Sequence, residues 1–292
     1  MSDLRPMEFG EVLDGAFTMY RRNFGLFLKL SAAVMGLPVA ASIYFQLRIG
    51  GTPDQTMAML ESHLFQLAGW GLLAVLLYAV ASLLLTAGSI HAISSSYLGK
   101  TSTLGEALQL GASKIVPLML VGLGKWLLFL VIALLGGLVL GVVAGIAGAG
   151  GGLAAGVTIL LGLFGLLWFL AFVYCGYALT TPVVVLEDLA SSFDAFGRSW
   201  DLTRSFKLKV FFLGLVTILL TQLVPSVFLG ALGVVVKSAA PSLEPVMIAV
   251  SACASVVLAP LLPCVFTMIY YDLRMRREGF DLQLLGQQLG IS

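Results

Sequence analysis

Six stretches of this chain, roughly 24–47, 64–90, 115–147, 151–180, 208–236 and 245–271, are almost unbroken runs of apolar residues. A helix needs about 20 predominantly apolar residues to cross the hydrocarbon core of a bilayer, and each run is longer than that. Lipid offers no partner for a bare peptide group, so such runs fold as helices that satisfy their own backbone. The composition agrees: charged residues make up 11% of the 292, against roughly 25% in a soluble domain, and the mean hydropathy is +1.03. The expectation is an all-α integral membrane protein, one membrane domain over 1–292 with a short cytoplasmic tail at 272–292. Among charged residues only Lys29 and Lys125 fall well inside the runs, as expected where unpaired charge is costly.

Six crossings put both termini on one side, and the basic residues choose which. Of 16 Lys and Arg, thirteen fall on the side of the termini and two, Arg48 and Lys237, on the other; Lys125 is the sixteenth. Cytoplasmic connections carry the excess of Lys and Arg, so both termini are predicted to be cytoplasmic. Acidic residues follow the same partition, twelve against three, and net charge alone would hide the bias.

An amphipathic segment precedes the first, third and fifth runs. In the first, Phe9, Val12, Leu13, Ala16, Phe17 and Tyr20 recur at helical spacing, with Glu8, Glu11, Asp14 and Arg21 on the other face. The second opens with Thr103 and Glu106 in capping-box spacing and continues as Leu104, Leu108, Gly111 and Ile115. In the third, Ser191 and Asp194 give a similar start before Phe193, Phe196 and Trp200. Gly10-Glu11-Val12-Leu13 aligns with Gly105-Glu106-Ala107-Leu108, and Glu106-Ala107-Leu108 with Asp194-Ala195-Phe196. The chain therefore reads as three hairpins, each preceded by a cytoplasmic interfacial helix, in a threefold repeat over 7–90, 102–180 and 190–271. All units share one orientation, unlike the inverted repeats of many transporters. Convergence among helices lying on one leaflet would give the same pattern.

Several chemistries are disfavoured. A net charge of +1 supplies no basic field for nucleic acid. Cys175, Cys253 and Cys264 lie in apolar runs without metal-ligand spacing, so no disulfide framework, metal or cofactor is expected. The first 25 residues lack the pattern of a signal peptide, and the N-terminus is expected to be retained. No grouping of carboxylates, His and nucleophile suggests catalysis, so no enzyme activity is expected.

Lys125 is the deepest charge, and two readings stand beside each other. It pairs with Glu187, Asp188 or a lipid phosphate as a functional intramembrane cation, or it snorkels to the interface beside Trp126. Glu187, Asp188, Asp194, Arg198, Asp201 and Arg204 form the densest charge cluster. Helical spacing predicts that Arg198 pairs with Asp194 or Asp201. With Arg274, Arg276 and Arg277 in the tail, Asp194, Arg198, Asp201 and Arg204 otherwise form a cytoplasmic docking surface. Gly137, Gly141 and Gly145, with Gly148, Gly152 and Gly156 beyond, predict close packing of spans three and four. Pro38, Pro225, Pro260 and Pro263 fall within spans and predict kinks.

The segments EVLDGAFTMYRRNFG (11–25), PVVVLEDLASSFDAFGRSWDLTRS (182–205) and YYDLRMRREGFDL (270–282) resemble the bacterial family named for the membrane domain of glycerophosphoryl diester phosphodiesterase. The resemblance implies a six-span protein of a bacterial cytoplasmic membrane. It does not imply the phosphodiesterase activity, because 272–292 is too short for the catalytic barrel and two His cannot supply its metal site. The leading functional expectation is a nonenzymatic scaffold or partner subunit of a membrane complex, with lipids and a membrane or cytoplasmic protein as partners. The alternative is a permease or lipid-handling protein whose cavity lies between the hairpins, lined by Lys125, Tyr174, Tyr177 and Gln222. A continuous polar cavity would favour the second, and a tightly packed centre the first.

Overall fold

In the computed structural model, residues 7–49, 53–149 and 151–278 are described, and every element among them is helical. The tail from 279 onward and residues 1–6, which carry Asp3, Arg5 and Asp281 of the charge count, lie outside the described residues. The helices are α1 (Phe9–Arg22), α2 (Phe24–Ile49), α3 (Pro53–Tyr97), α4 (Leu104–Ser113), α5 (Ile115–Gly148) and α6 (Gly152–Tyr177). They continue as α7 (Thr180–Leu186), α8 (Asp194–Thr203), α9 (Lys207–Ile218), α10 (Val224–Ala239), α11 (Glu244–Leu258) and α12 (Leu261–Glu278). Six segments are long and apolar enough to span a membrane: Phe24–Tyr44, Gly69–Tyr97, Ile115–Gly148, Gly152–Leu186, Lys207–Ala239 and Pro241–Glu278.

The last two spans are interrupted. Between α9 and α10 the residues Leu219–Leu223 form a π turn, one residue wider than an α turn, with Pro225 just beyond it. Between α11 and α12 the helix stops at Ala259 and Pro260, where proline has no N–H to continue the ladder. Pro38 sits inside α2 without ending it.

The chain forms two compact units. The first comprises residues 7–115 and 213–272: α1 to α4, the second half of α9, the π turn, α10, α11 and most of α12. Its core is apolar and layered. One cluster joins Tyr20, Phe27, Ala92, Ile93, Leu261 and Cys264. A second joins Leu30, Val34, Met35, Ala81, Leu85 and Ala107. Helix α1 contributes through Val12, Ala16 and Tyr20, buried at every fourth position, while Asp14, Arg21 and Arg22 on its other face are exposed. Helix α4 begins with the capping box read from its sequence: Thr103 Oγ1 accepts from the Glu106 N–H at 3.3 Å, and the Glu106 carboxylate accepts from the Thr103 N–H at 3.0 Å. It lies close against α3, because a Cβ at Gly111 would come within 3.0 Å of the Leu84 carbonyl oxygen.

The second unit comprises residues 116–212 and 273–278: most of α5, then α6, α7, α8, the first half of α9 and the end of α12. Helix α8 docks on the end of α6 through Ser199, whose hydroxyl donates to the Gly176 carbonyl at 2.8 Å and accepts from the Leu179 N–H at 3.2 Å. The Ser191 N–H donates to the Asp194 carboxylate at 2.9 Å, so the predicted start signal for this helix is used. The glycine stripe behaves differently from its expectation. Gly137, Gly141, Gly145, Gly152 and Gly156 face open space. The close approach of α5 and α6 falls instead at Gly136 against Leu166 and at Gly162 against Leu140. The reason is that spacing defines a face without saying what it meets, and interdigitating leucines use the neighbouring face.

Candidate functional site

Within the first unit a cavity of about 590 Å³ lies among α3, the π turn, α10 and α11. This is the size of an ordinary small-molecule site. Its position follows from local structure. On α10 and the turn before it, Gln222, Ser226, Gly230, Gly233 and Lys237 line the cavity, each three or four residues after the last, which places them on one helix face. On α11, Glu244, Ile248, Ser251 and Ser255 repeat that spacing and line the opposite wall. Tyr78 of α3 completes the lining. Two small glycines on one wall and two serines on the other leave room that leucines would fill.

The polar groups of this lining fall into two classes. Ser226 Oγ donates to the Gln222 carbonyl at 2.5 Å, Ser251 Oγ to Ile248 at 2.8 Å and Ser255 Oγ to Ala252 at 2.7 Å. Such back-bonded hydroxyls keep free lone pairs that can accept from a ligand. The Gln222 amide and the Tyr78 hydroxyl, in contrast, have no hydrogen-bond partner among the described residues, although both side chains are exposed. Gln222 stands at the middle of the fifth span. An unpaired amide surrounded by hydrocarbon costs several kcal/mol.

At the turn joining α10 to α11 the cavity ends on an ion pair, Lys237 Nζ to Glu244 Oε1 at 3.6 Å, both side chains well exposed. Near the middle of the fifth span the lining includes Thr221. Thr221 is buried and donates to the Thr217 carbonyl at 2.8 Å. Elsewhere in the first unit Tyr20, stacked on Phe27 at 5.4 Å, donates its hydroxyl to the Val257 carbonyl at 2.6 Å. Burial pushes the Tyr20 phenol up to about 12, so it remains a donor at any physiological pH and ties α1 to the broken sixth span.

The other sequence candidates belong to the second unit. Lys125, half-buried on α5, forms no ion pair with Glu187 or Asp188 among the described residues. Glu187 is instead engaged by Arg198, Nε to Oε2 at 2.9 Å. Arg198 also pairs with Glu278, which in turn accepts from Arg274 Nε at 3.0 Å. The expected pairing of Arg198 with Asp194 or Asp201 is therefore replaced. Asp194 caps its own helix start, and the planar guanidinium reaches two carboxylates outside α8. Bonding to Glu278 and then to Glu187 raises the affinity of Arg198 for its proton above the usual arginine value. Asp188, Asp194, Asp201, Arg204, Arg276 and Arg277 are exposed; Arg276 lies 5.6 Å from the centre of the Phe206 ring. Thus the proposed docking residues divide: Arg198 and Arg274 are held in a network and the others face outward.

Tyr174 packs near Phe129 at 6.3 Å, and Tyr177 against Phe196 and Trp200 at 5.3 Å each. Of the four residues expected to line a cavity, Gln222 lines this one, and Lys125, Tyr174 and Tyr177 belong to the second unit. The second unit has its own crevice between α5 and α6, about 740 Å³, with Thr158 as its one polar lining residue; its hydroxyl donates to the Ala154 carbonyl at 2.9 Å. Sequence reasoning missed Tyr78, Ser251, Ser255 and the Lys237–Glu244 pair. The available signal was polar residues four apart within apolar runs, at Gln222 and Ser226 and at Ser251 and Ser255.

Residues 7–272 match a family whose description is a domain of unknown function, DUF7847. The chain belongs to that family. The match takes in every residue that lines the cavity and stops at Asp272. No curated protein and no solved structure matches the chain. The DUF7847 description carries no activity, so function is argued from the site alone.

Proposed function

We propose that this is a nonenzymatic multi-pass protein of a bacterial cytoplasmic membrane that handles a lipid or small solute in the cavity bounded by α3, α10 and α11. The observation that carries the reading is the unpaired Gln222 amide and Tyr78 hydroxyl, facing a cavity midway along the fifth span. With thirteen basic residues on the side of the termini, the termini are cytoplasmic and the Lys237–Glu244 end opens to the opposite side. The end lined by Thr221 then lies nearer the cytoplasm.

Scaffolding is the second reading, and the outward-facing Asp188, Asp201, Arg204 and Arg277 favour it. The two separate experimentally. The full-length protein is extracted gently and weighed intact by native mass spectrometry, beside a Gln222→Leu, Tyr78→Phe double variant of equal melting temperature. Handling a lipid or solute predicts a noncovalent adduct on the parent protein that is lost in the variant. An adduct that persists unchanged in the variant, or a parent protein that carries none, removes the cavity as the functional site.

A further inference from the structure

Resting on the cavity reading, we infer that the occupant is a phospholipid with a zwitterionic headgroup, held with its phosphate and ammonium in the cavity and its acyl chains in the bilayer. Three observations carry this. First, the polar lining is a track and not a single pocket. From Gln222 to Lys237 it rises about 22 Å along the helix, with hydroxyls or glycines at each turn. Second, the track is not enclosed at mid-membrane: Gln222, Ser226 and Ser255 are exposed although they lie deep within spans. A free hydrophilic solute there would touch hydrocarbon. A lipid headgroup would touch only the track, because its own chains fill the open side. Third, the mouth presents both signs of charge at once. Lys237 and Glu244, 3.6 Å apart and exposed, hold each other weakly, so a phosphate can take the ammonium while an amine takes the carboxylate. An anionic headgroup would satisfy the lysine and leave the glutamate facing a like charge.

The test uses full-length protein stripped of lipid and returned to bilayers of defined composition, with retained lipid measured after re-extraction. Phosphatidylethanolamine and phosphatidylglycerol of identical chains compete, and free phosphoethanolamine is the soluble control. The parent protein should retain phosphatidylethanolamine up to about fivefold over phosphatidylglycerol, the discrimination an exposed pair supplies. Glu244→Gln should reverse the preference, because the mouth becomes cationic. The double exchange Lys237→Glu, Glu244→Lys should restore it, which also controls for folding. Equal retention of both lipids that Glu244→Gln does not alter overturns the headgroup assignment while leaving the cavity reading intact. Displacement by free phosphoethanolamine at the same concentration as by the lipid overturns the phospholipid in favour of a soluble zwitterion. Lipid retention that Gln222→Leu leaves untouched removes the cavity itself, and with it both readings.

Discussion

Arg198 shows how a single side chain can be recognised as central from its surroundings and yet be assigned the wrong partners. Counting along one helix offers Asp194 and Asp201, and the structure gives Glu187 and Glu278. Spacing rules see only the residue's own helix, whereas a long guanidinium samples everything packed beside it. The network makes a definite prediction. Arg198→Gln leaves two carboxylates without their shared cation and should lower stability by about 1–2 kcal/mol, read as a fall in melting temperature in detergent. Glu187→Gln should then cost clearly less in the Arg198→Gln background than in the parent, since the partners act together. Additive losses would show that the pair is not coupled. Asp201, exposed and outside the network, should tolerate Asn within about 0.5 kcal/mol.

Among elements, legibility followed the range of the determining interaction. The start of α4 was readable because a capping box is closed within four residues, and both of its hydrogen bonds form. The six spans were readable because length and apolarity are properties of a window. The π turn at Leu219–Leu223 and the exact faces of α5 and α6 were not, because packing against other helices decides them. Two glycines separate spacing from contact. A methyl at Gly176 would run into the Trp200 ring, so Gly176→Ala should destabilise by about 1–3 kcal/mol. Gly141, central in the stripe read from sequence, has nothing near it, and Gly141→Ala should be neutral or stabilising by up to about 1 kcal/mol. Thermal melts of the two variants side by side decide the matter; equal losses would restore the stripe as a packing surface.

For the whole molecule, the charge asymmetry predicts an orientation that helical contacts alone cannot. Reporter fusions in the turn after Ala239 should report the non-cytoplasmic side, and fusions after Gly99 and after Ser191 the cytoplasmic one. The reverse pattern would invert the cavity, placing the Lys237–Glu244 mouth in the cytoplasm. The cavity was only partly foreseen. Gln222 stands out in the sequence as a polar residue within an apolar run, whereas the opposite wall comes from α3 and α11, distant in sequence.

One contact joins α12 to the main chain just before α1. Fully buried Asp272 accepts the backbone N–H of Met7 at 2.7 Å. Translation beginning at Met7 would put a free α-ammonium where an amide now stands. A neutral hydrogen-bond donor would thereby become a cation seated on the Asp272 carboxylate, at the last residue of the family match.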